Sequence, residues 1–286
     1  MLLRTARTAL ALLAVSAPLL AGSTPLERAV EAFQAGKYAA VVEAAPSVAA
    51  DSPDYPKLCY LVGESQLLLQ RPADARASFE KALALKPKAV PVLVGLGRAL
   101  MRSGELDAGA ATLDKALALE PKDLQARVAL GELQMHRGET AVARNTLAEA
   151  YAAAPEDVTA AQLYCEALLR AEDPAAAAEV AEGYMKRRPE HPLGYFLLAV
   201  VMERDGADKE AIENYQLALE KDETFLDAHK NLAILCHTLS HNYTIRERTL
   251  LAYEHYRLYF ELGGGDPSLK AMYDELLKYK DAILGS

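Results

Sequence analysis

Apolar residues recur at helical spacing along residues 90–123, VPVLVGLGRALMRSGELDAGAATLDKALALEPKD. They form two stripes, one of Leu93, Leu96 and Leu100 and the other of Leu113, Ala116 and Leu117. Such stripes predict two amphipathic helices, each of which buries one face. Gly104 separates the helices, and Pro121 ends the second, because a proline disfavours helix in the residue before it. Neither helix is long enough to be stable alone in water, so the pair needs neighbours.

The same pattern returns every 34 residues over most of the chain. A proline recurs at this period, at Pro53, Pro87, Pro121, Pro155 and Pro189. A small residue recurs where the two helices of a pair must cross, at Ala75, Gly109, Ala143, Ala177 and Ala211. A mostly bulky residue follows each of them, at Phe79, Leu113, Leu147, Ala181 and Tyr215. Self-similarity at this period predicts a stack of helix–turn–helix repeats.

With these columns in place, the chain resembles the tetratricopeptide repeat proteins. The small, bulky and proline positions of that motif are all filled in 56–157, and the resemblance covers roughly 22–260. The resemblance implies an all-α fold, a right-handed α-solenoid of six to seven helical repeats with a C-terminal capping helix. We expect about fifteen helices and no strand. The resemblance says less about function, because one fold serves many binding tasks.

The period divides the chain into repeats within a domain that spans 24–262. We place them at 22–55, 56–89, 90–123, 124–157, 158–191, 192–225 and 226–262. The first repeat is atypical, with Pro46 interrupting its second helix, as terminal repeats often are. In the seventh repeat the second helix starts late, after a lengthened turn at 240–247. Asp266 and Pro267 open a last helix, 266–284, which we expect to cover the end of the stack.

Residues 1–23 lie outside the repeat pattern. Arg4 and Arg7 give a basic start, an uncharged apolar run follows, and small residues close the segment. This order is typical of a secretory signal peptide, and the run is too short to span a bilayer comfortably. We therefore expect a leader at 1–23, an extracytoplasmic protein (periplasmic or secreted), and no membrane span after leader removal. The alternative is an apolar first helix, which the repeat frame does not need.

The chain is acidic, with a formal net charge of −9. No stripe of Lys and Arg is interleaved with aromatic residues, so we do not expect nucleic acid as a partner. The GLG at 95–97 follows no predicted strand, and no basic residue completes a Walker pattern. The sequence therefore predicts no cofactor.

The three cysteines, Cys59, Cys165 and Cys236, fall on first helices at inward-facing positions. They lie at least two repeats apart, and each repeat adds two helices of ~8–10 Å. A disulfide needs Cα atoms within ~7 Å of each other. We therefore predict three buried thiols and no intrachain bridge.

Catalytic chemistry has little support in the sequence. The best metal candidate is His237 with His241, near His229 and His255, but no HExxH or CxxC pattern supports it. Serine, histidine and aspartate occur without a nucleophile-elbow context. We predict no metal site and no enzyme activity.

The concave surface of such a solenoid is lined by the first helix of each repeat. The positions that the resemblance places there are Tyr60, Glu64, Leu67, Val94, Arg98, Met101, Val128, Glu132, Met135, Glu166 and Phe196. Two of the rows are largely apolar, and the middle row carries carboxylates and one arginine. If these rows are exposed, they would bind a protein or peptide segment with an apolar face and basic residues. Alternatively, the apolar rows are packing between neighbouring first helices.

Some members of the family hold the acidic C-termini of chaperones with a lysine four residues before an asparagine. Here Tyr60 precedes Glu64, and Lys230 precedes Ile234, so that clamp is absent. We therefore predict a non-catalytic extracytoplasmic scaffold or assembly factor that binds another protein. The alternatives are a self-associating subunit of an envelope or secretion complex, which would be a homo-oligomer, and a metal-dependent activity around 229–255.

Overall fold

The computed structural model describes residues 24–44, 50–238 and 245–284. These residues form fifteen helices and no strand, which confirms the predicted all-α fold. The helices are α1 Pro25–Gln34, α2 Tyr38–Ala44, α3 Tyr55–Leu68, α4 Pro72–Leu85, α5 Val90–Arg102, α6 Leu106–Leu119, α7 Leu124–His136, α8 Thr140–Ala153, α9 Val158–Arg170, α10 Pro174–Arg187, α11 Leu193–Arg204, α12 Asp208–Lys221, α13 Leu226–Thr238, α14 Ile245–Glu261 and α15 Pro267–Leu284. The predicted leader at 1–23, His241 and most of the predicted lengthened turn lie outside the described residues.

Several helices start at a side chain that caps their free backbone N–H groups. Asp123 accepts a hydrogen bond from the Ala126 N–H at 2.7 Å, and Asp157 accepts one from the Ala160 N–H at 2.8 Å. Thr24 forms a capping box with Glu27 at the start of α1. Such caps satisfy backbone donors that have no partner within the helix, and so they fix where each helix begins.

In the repeats between 56 and 225, the turn between the two helices passes through the left-handed backbone region. At Gly104 φ is +81°, and the Glu105 N–H reaches back to the Leu100 carbonyl at 2.9 Å, which closes the end of α5. Equivalent residues at the 34-residue period have φ between 58° and 76°, namely Gln70, Gly138, Glu172 and Gly206. Glycine adopts this conformation without strain. Gln70 and Glu172 do so at a cost, since side chains rarely adopt it.

Glycine also permits the close approach of the two helices in a repeat. A Cβ on Gly97 would lie only 2.6 Å from Leu113 Cγ, whereas carbon atoms pack at about 3.5–4.0 Å. The same pairing recurs one repeat later, where a Cβ on Gly131 would lie 2.5 Å from Leu147 Cγ. Glycine at these two positions therefore lets the two helices of a repeat approach closely.

The core follows the predicted columns. The alanines at the helix crossings and the bulky residues after them have no exposed surface: Ala75, Ala143, Ala177, Ala211, Phe79, Leu113, Leu147 and Tyr215 are all 0% exposed. The three cysteines are buried and unpaired, as predicted. Burial raises the pKa of the Cys165 and Cys236 thiols to about 12, so both stay protonated and unreactive at neutral pH.

The helices form two compact units, an N-terminal unit that ends at Ala153 and a C-terminal unit that starts at Ala154. In the N-terminal unit the first helices of successive repeats contact each other, α1 with α3, α3 with α5 and α5 with α7. In the C-terminal unit α9 contacts α11, and α15 packs against α14. The described helices include none with both the length and the apolar character needed to cross a bilayer.

Candidate functional site

The apolar rows predicted to line a groove are mostly buried in the structure. In the N-terminal unit the buried positions are Leu67, Val94, Met101, Val128 and Met135, each at most 6% exposed. They sit where α3, α5 and α7 meet, so neighbouring helices cover the faces that the sequence left open. The interpretation of these residues as an exposed apolar patch is therefore wrong, and the alternative of packing between first helices describes them.

Phe196 in the C-terminal unit is buried in the same way. Its ring packs against Tyr215 and Phe225, with ring centroids 5.8 Å and 5.2 Å apart. Phe196 is 5% exposed and belongs to the aromatic core between α11 and α12. It offers little surface to a partner.

Four predicted positions keep part of their side chain at the surface: Tyr60, Arg98, Glu132 and Glu166. The first three come from three successive first helices of the N-terminal unit. Glu166, on α9, pairs with Arg170 one turn later at 2.6 Å. The accessible part of the predicted groove is thus polar and aromatic.

Glu64 and Arg98 form an ion pair across α3 and α5, with Glu64 Oε2 3.8 Å from Arg98 Nη1. The Glu64 side chain is 7% exposed and that of Arg98 is 15% exposed. Burial raises the pKa of the Glu64 carboxyl, and the positive charges of Arg98 and Arg102 oppose that rise. Sequence reasoning expected Glu64 to select a basic partner, but its carboxylate is already buried and paired within the chain.

Arg102 belongs to the same cluster, although the sequence analysis did not single it out. Its guanidinium donates to the Leu67 carbonyl at 3.2 Å, across to α3. Burial and the nearby charge of Arg98 lower its pKa, while Glu132 and Glu64 act in the opposite direction. Arg102 lies four residues after Arg98 on one face of α5, a spacing that could have revealed it. We call these residues, Glu64, Arg98, Arg102 and Glu132, the charge ladder.

Tyr60 borders the charge ladder. Its ring lies 6.1 Å from that of Phe79, centroid to centroid. Burial and the Glu64 carboxylate raise the pKa of its phenol, so the hydroxyl stays protonated. The charge ladder and Tyr60 thus bring a hydroxyl, two guanidinium groups and two carboxylates together on adjacent helices, an arrangement suited to hydrogen bonding with another chain.

A cavity in the C-terminal unit contains another carboxylate, that of the half-buried Glu203. It has a volume of about 340 Å³ and is lined by Val200, Glu203, Arg204, Asn231 and Ile234. Sequence reasoning did not select Glu203 as a site residue. Its distinguishing feature, a hydrogen bond to a core tyrosine, becomes visible only in three dimensions.

The histidines that the sequence suggested as metal ligands bond to other partners. His229 and His255 face each other with their Nδ1 atoms 2.9 Å apart, and His237 Nδ1 lies 3.3 Å from the Tyr256 hydroxyl oxygen. Among the described residues, no group of three or more His, Cys, Asp or Glu side chains is arranged to hold a metal ion. The described part of 229–255 thus gives no support to a metal-dependent activity.

Family models place repeats over most of this architecture. One model described as tetratricopeptide repeat matches residues 66–130, and a second with the same description matches 26–90 and 166–224. The comparison with curated proteins gives no match.

Solved structures share the fold at low sequence identity. A tetratricopeptide repeat protein from Parabacteroides merdae is 12% identical with a TM-score of 0.69, covering 88% of this chain and 97% of that chain. A chain of the APC/C hetero-tetramer Cut9–Hcn1 is 16% identical with a TM-score of 0.61, and the match covers 96% of this chain but only 52% of that one. Pseudomonas aeruginosa pilF is 17% identical with a TM-score of 0.54, covering 77% of this chain and 97% of that chain.

Proposed function

Because this chain is a tetratricopeptide repeat protein over residues 26–130 and 166–224, we propose that it is a non-catalytic scaffold that binds another protein on its first helices. The observation that carries the proposal is the charge ladder, together with Tyr60. Four of these five residues keep part of their side chain at the surface, and they come from three helices that contact each other: Tyr60, Arg98, Arg102 and Glu132. Repeats stacked in this way offer extended binding surfaces.

The surface of the N-terminal unit favours a partner with polar and basic groups over a purely apolar one. The residues of the apolar rows are buried between packed helices, and the charge of Glu64 is balanced by that of Arg98. Glu132 remains half-exposed on α7 and is the accessible carboxylate of the charge ladder. A rim charge of this kind tunes association and its salt dependence more than it fixes total affinity.

Exchanging Glu132 for glutamine tests the binding face. In capture experiments with immobilised protein and extract of the source cells, Glu132→Gln should weaken recovery of the specific partner about two- to fivefold at low salt. The difference should shrink as salt is added, because screening removes what the carboxylate supplies.

The matched control is Glu120→Gln, an exposed carboxylate just after α6. It makes the same change of charge outside the charge ladder, so it should behave as the wild type. Equal recovery by all three proteins would mean that the partner binds elsewhere or that the chain is no scaffold.

We propose further that the protein acts outside the cytoplasm, directed there by residues 1–23. The support is the order of a basic start, an apolar run and small residues in that segment. Fused to a reporter enzyme that is active only after export, residues 1–30 should give activity, and Leu13→Arg should abolish it by charging the apolar run. Mass spectrometry showing an intact Met1 on the protein from its native cells would count against cleavage of this leader.

A further inference from the structure

The cavity of the C-terminal unit opens between two first helices, α11 and α13. Its apolar walls are Val200 on α11 and Ile234 on α13, and both side chains are half-buried. Its polar groups are Glu203, Arg204 and Asn231. An aliphatic stem could therefore lie between the two walls while its polar end meets these groups.

A chain of hydrogen bonds fixes the polar groups of the cavity. The Asn231 side-chain amide donates to the Tyr215 hydroxyl oxygen at 3.3 Å, and the Tyr215 O–H donates to Glu203 Oε2 at 2.6 Å. Tyr215 is 0% exposed, so it holds Glu203 and Asn231 from the core side. The groups left for a ligand on these two residues are the second Glu203 oxygen and the Asn231 carbonyl, which accept, and one Asn231 N–H, which donates.

Negative charge outweighs positive charge at the Glu203 end of the cavity. Burial raises the pKa of the Glu203 carboxyl, and the nearby charge of Asp208 raises it further, whereas the Tyr215 hydrogen bond and Arg204 lower it. Two carboxylates thus act against one guanidinium, and Arg204 is exposed to solvent, which screens its charge. A cation that reached Glu203 would offset the cost of partly burying its carboxylate.

We propose that this cavity receives a basic side chain, Lys or Arg, from a partner protein, with its stem between Val200 and Ile234 and its cationic head on Glu203 and Asn231. The proposal rests on the scaffold function above and adds to it a specificity-determining contact. It follows from the pairing of apolar walls with a carboxylate and a side-chain carbonyl at the polar end, because a cationic head carries a positive charge and several N–H donors.

Short peptides test the cavity without the natural partner. Three blocked tripeptides, with arginine, lysine or citrulline between two glycines, are titrated into the full-length protein at low salt. Binding is read from the NMR signal of the Asn231 side-chain amide, which is assigned by its loss in Asn231→Asp. Citrulline has the shape of arginine without its charge. The arginine and lysine peptides should bind about five- to tenfold more tightly than the citrulline peptide, as expected for one partly buried ion pair.

Glu203→Gln should reduce binding of the two basic peptides to the level of the citrulline peptide. The change preserves side-chain size and replaces a half-buried carboxylate, so the melting temperature should stay the same or rise. Glu179→Gln on α10 makes the same change of charge at an exposed position and should bind as the wild type does.

Equal binding of all three peptides, or undiminished binding in Glu203→Gln, would overturn the proposal. Either result would leave the capture test of Glu132 untouched, because that residue belongs to the N-terminal unit. Conversely, loss of the Glu132 effect with charge-selective peptide binding intact would contradict the scaffold face and keep the cavity as a cation site.

Discussion

Arg98→Ala should lower the free energy of unfolding by about 3 kcal/mol at neutral pH, because it leaves the Glu64 carboxylate buried without its counter-charge. Removing one member of a buried pair typically costs about 3–5 kcal/mol. We expect the lower end, because Arg102 still acts on Glu64 from the same helix. The quantity is measured by urea unfolding followed by helical circular dichroism.

A second change at Glu64 distinguishes this electrostatic cost from lost packing. In Arg98→Ala combined with Glu64→Gln the pair leaves no unpaired carboxylate in the interior, so most of the loss should be regained. Arg71→Ala provides the control, since Arg71 pairs with Asp74 at 2.7 Å while both side chains are about half exposed. Exposed pairs contribute about 0–1 kcal/mol. A double variant as unstable as Arg98→Ala alone would show that the guanidinium acts by packing.

The cost of Arg98→Ala should also fall in acid. Burial holds the pKa of folded Glu64 above its ordinary value, and removing Arg98 should raise it further. A carboxyl with a raised folded pKa destabilises the protein when ionised, so stability is gained as pH falls from neutral through that folded pKa. The wild type and Arg98→Ala should therefore converge towards pH 5, whereas Arg71→Ala should stay parallel to the wild type.

The repeat period alone was enough to predict the fold. It places the same small and bulky residues at each helix crossing, as at Ala75 with Phe79, and these contacts lie within one repeat. The turns were less predictable: the left-handed position is glycine at Gly104 but glutamine at Gln70 and glutamate at Glu172. There the packing of the flanking helices fixes the backbone against the preference of the residue.

The candidate site was harder to predict, because the repeat period gives the position of each residue on its helix but not the distance between neighbouring helices. Met101 and Met135 were placed on the correct face of their helices, yet their exposure depends on how closely α5 and α7 approach. The approach is close enough to bury both side chains. Glu64 and Arg98 were both selected, but their pairing depends on side-chain direction across two helices. Glu203 is held by a hydrogen bond from Tyr215. The two residues belong to different columns of the repeat, so the period alone does not show that they meet.

Two histidines, His229 on α13 and His255 on α14, face each other with space for one hydrogen between their Nδ1 atoms. His229 Nε2 lies 2.9 Å from the Glu223 carbonyl oxygen, which only accepts, so this nitrogen carries a hydrogen. The neutral His229 then accepts at Nδ1, and His255 Nδ1, 2.9 Å away, donates. With both rings protonated, two N–H groups and two positive charges would face each other. Burial, and then the charge of His229, lower the pKa of His255 to about 4.

Acidification from pH 7 to pH 4 should therefore cost the C-terminal unit up to about 3 kcal/mol through His255, because a histidine titrates near 6.5 when unfolded. Stability from a depressed histidine pKa is fully present above the unfolded value and is lost as pH falls towards the folded one. Glu203, in the same unit, has a raised pKa and acts in the opposite direction, so the loss must be measured against a variant.

His255→Gln keeps an N–H donor for His229 and does not titrate, whereas His136→Gln removes an exposed histidine of the N-terminal unit. Amide exchange of α13 and α14, measured between pH 7 and pH 4, should show the wild type and His136→Gln losing protection that His255→Gln retains. Parallel profiles for all three proteins would mean that His255 is protonated in the folded protein without cost, contrary to the lowered pKa that its burial gives.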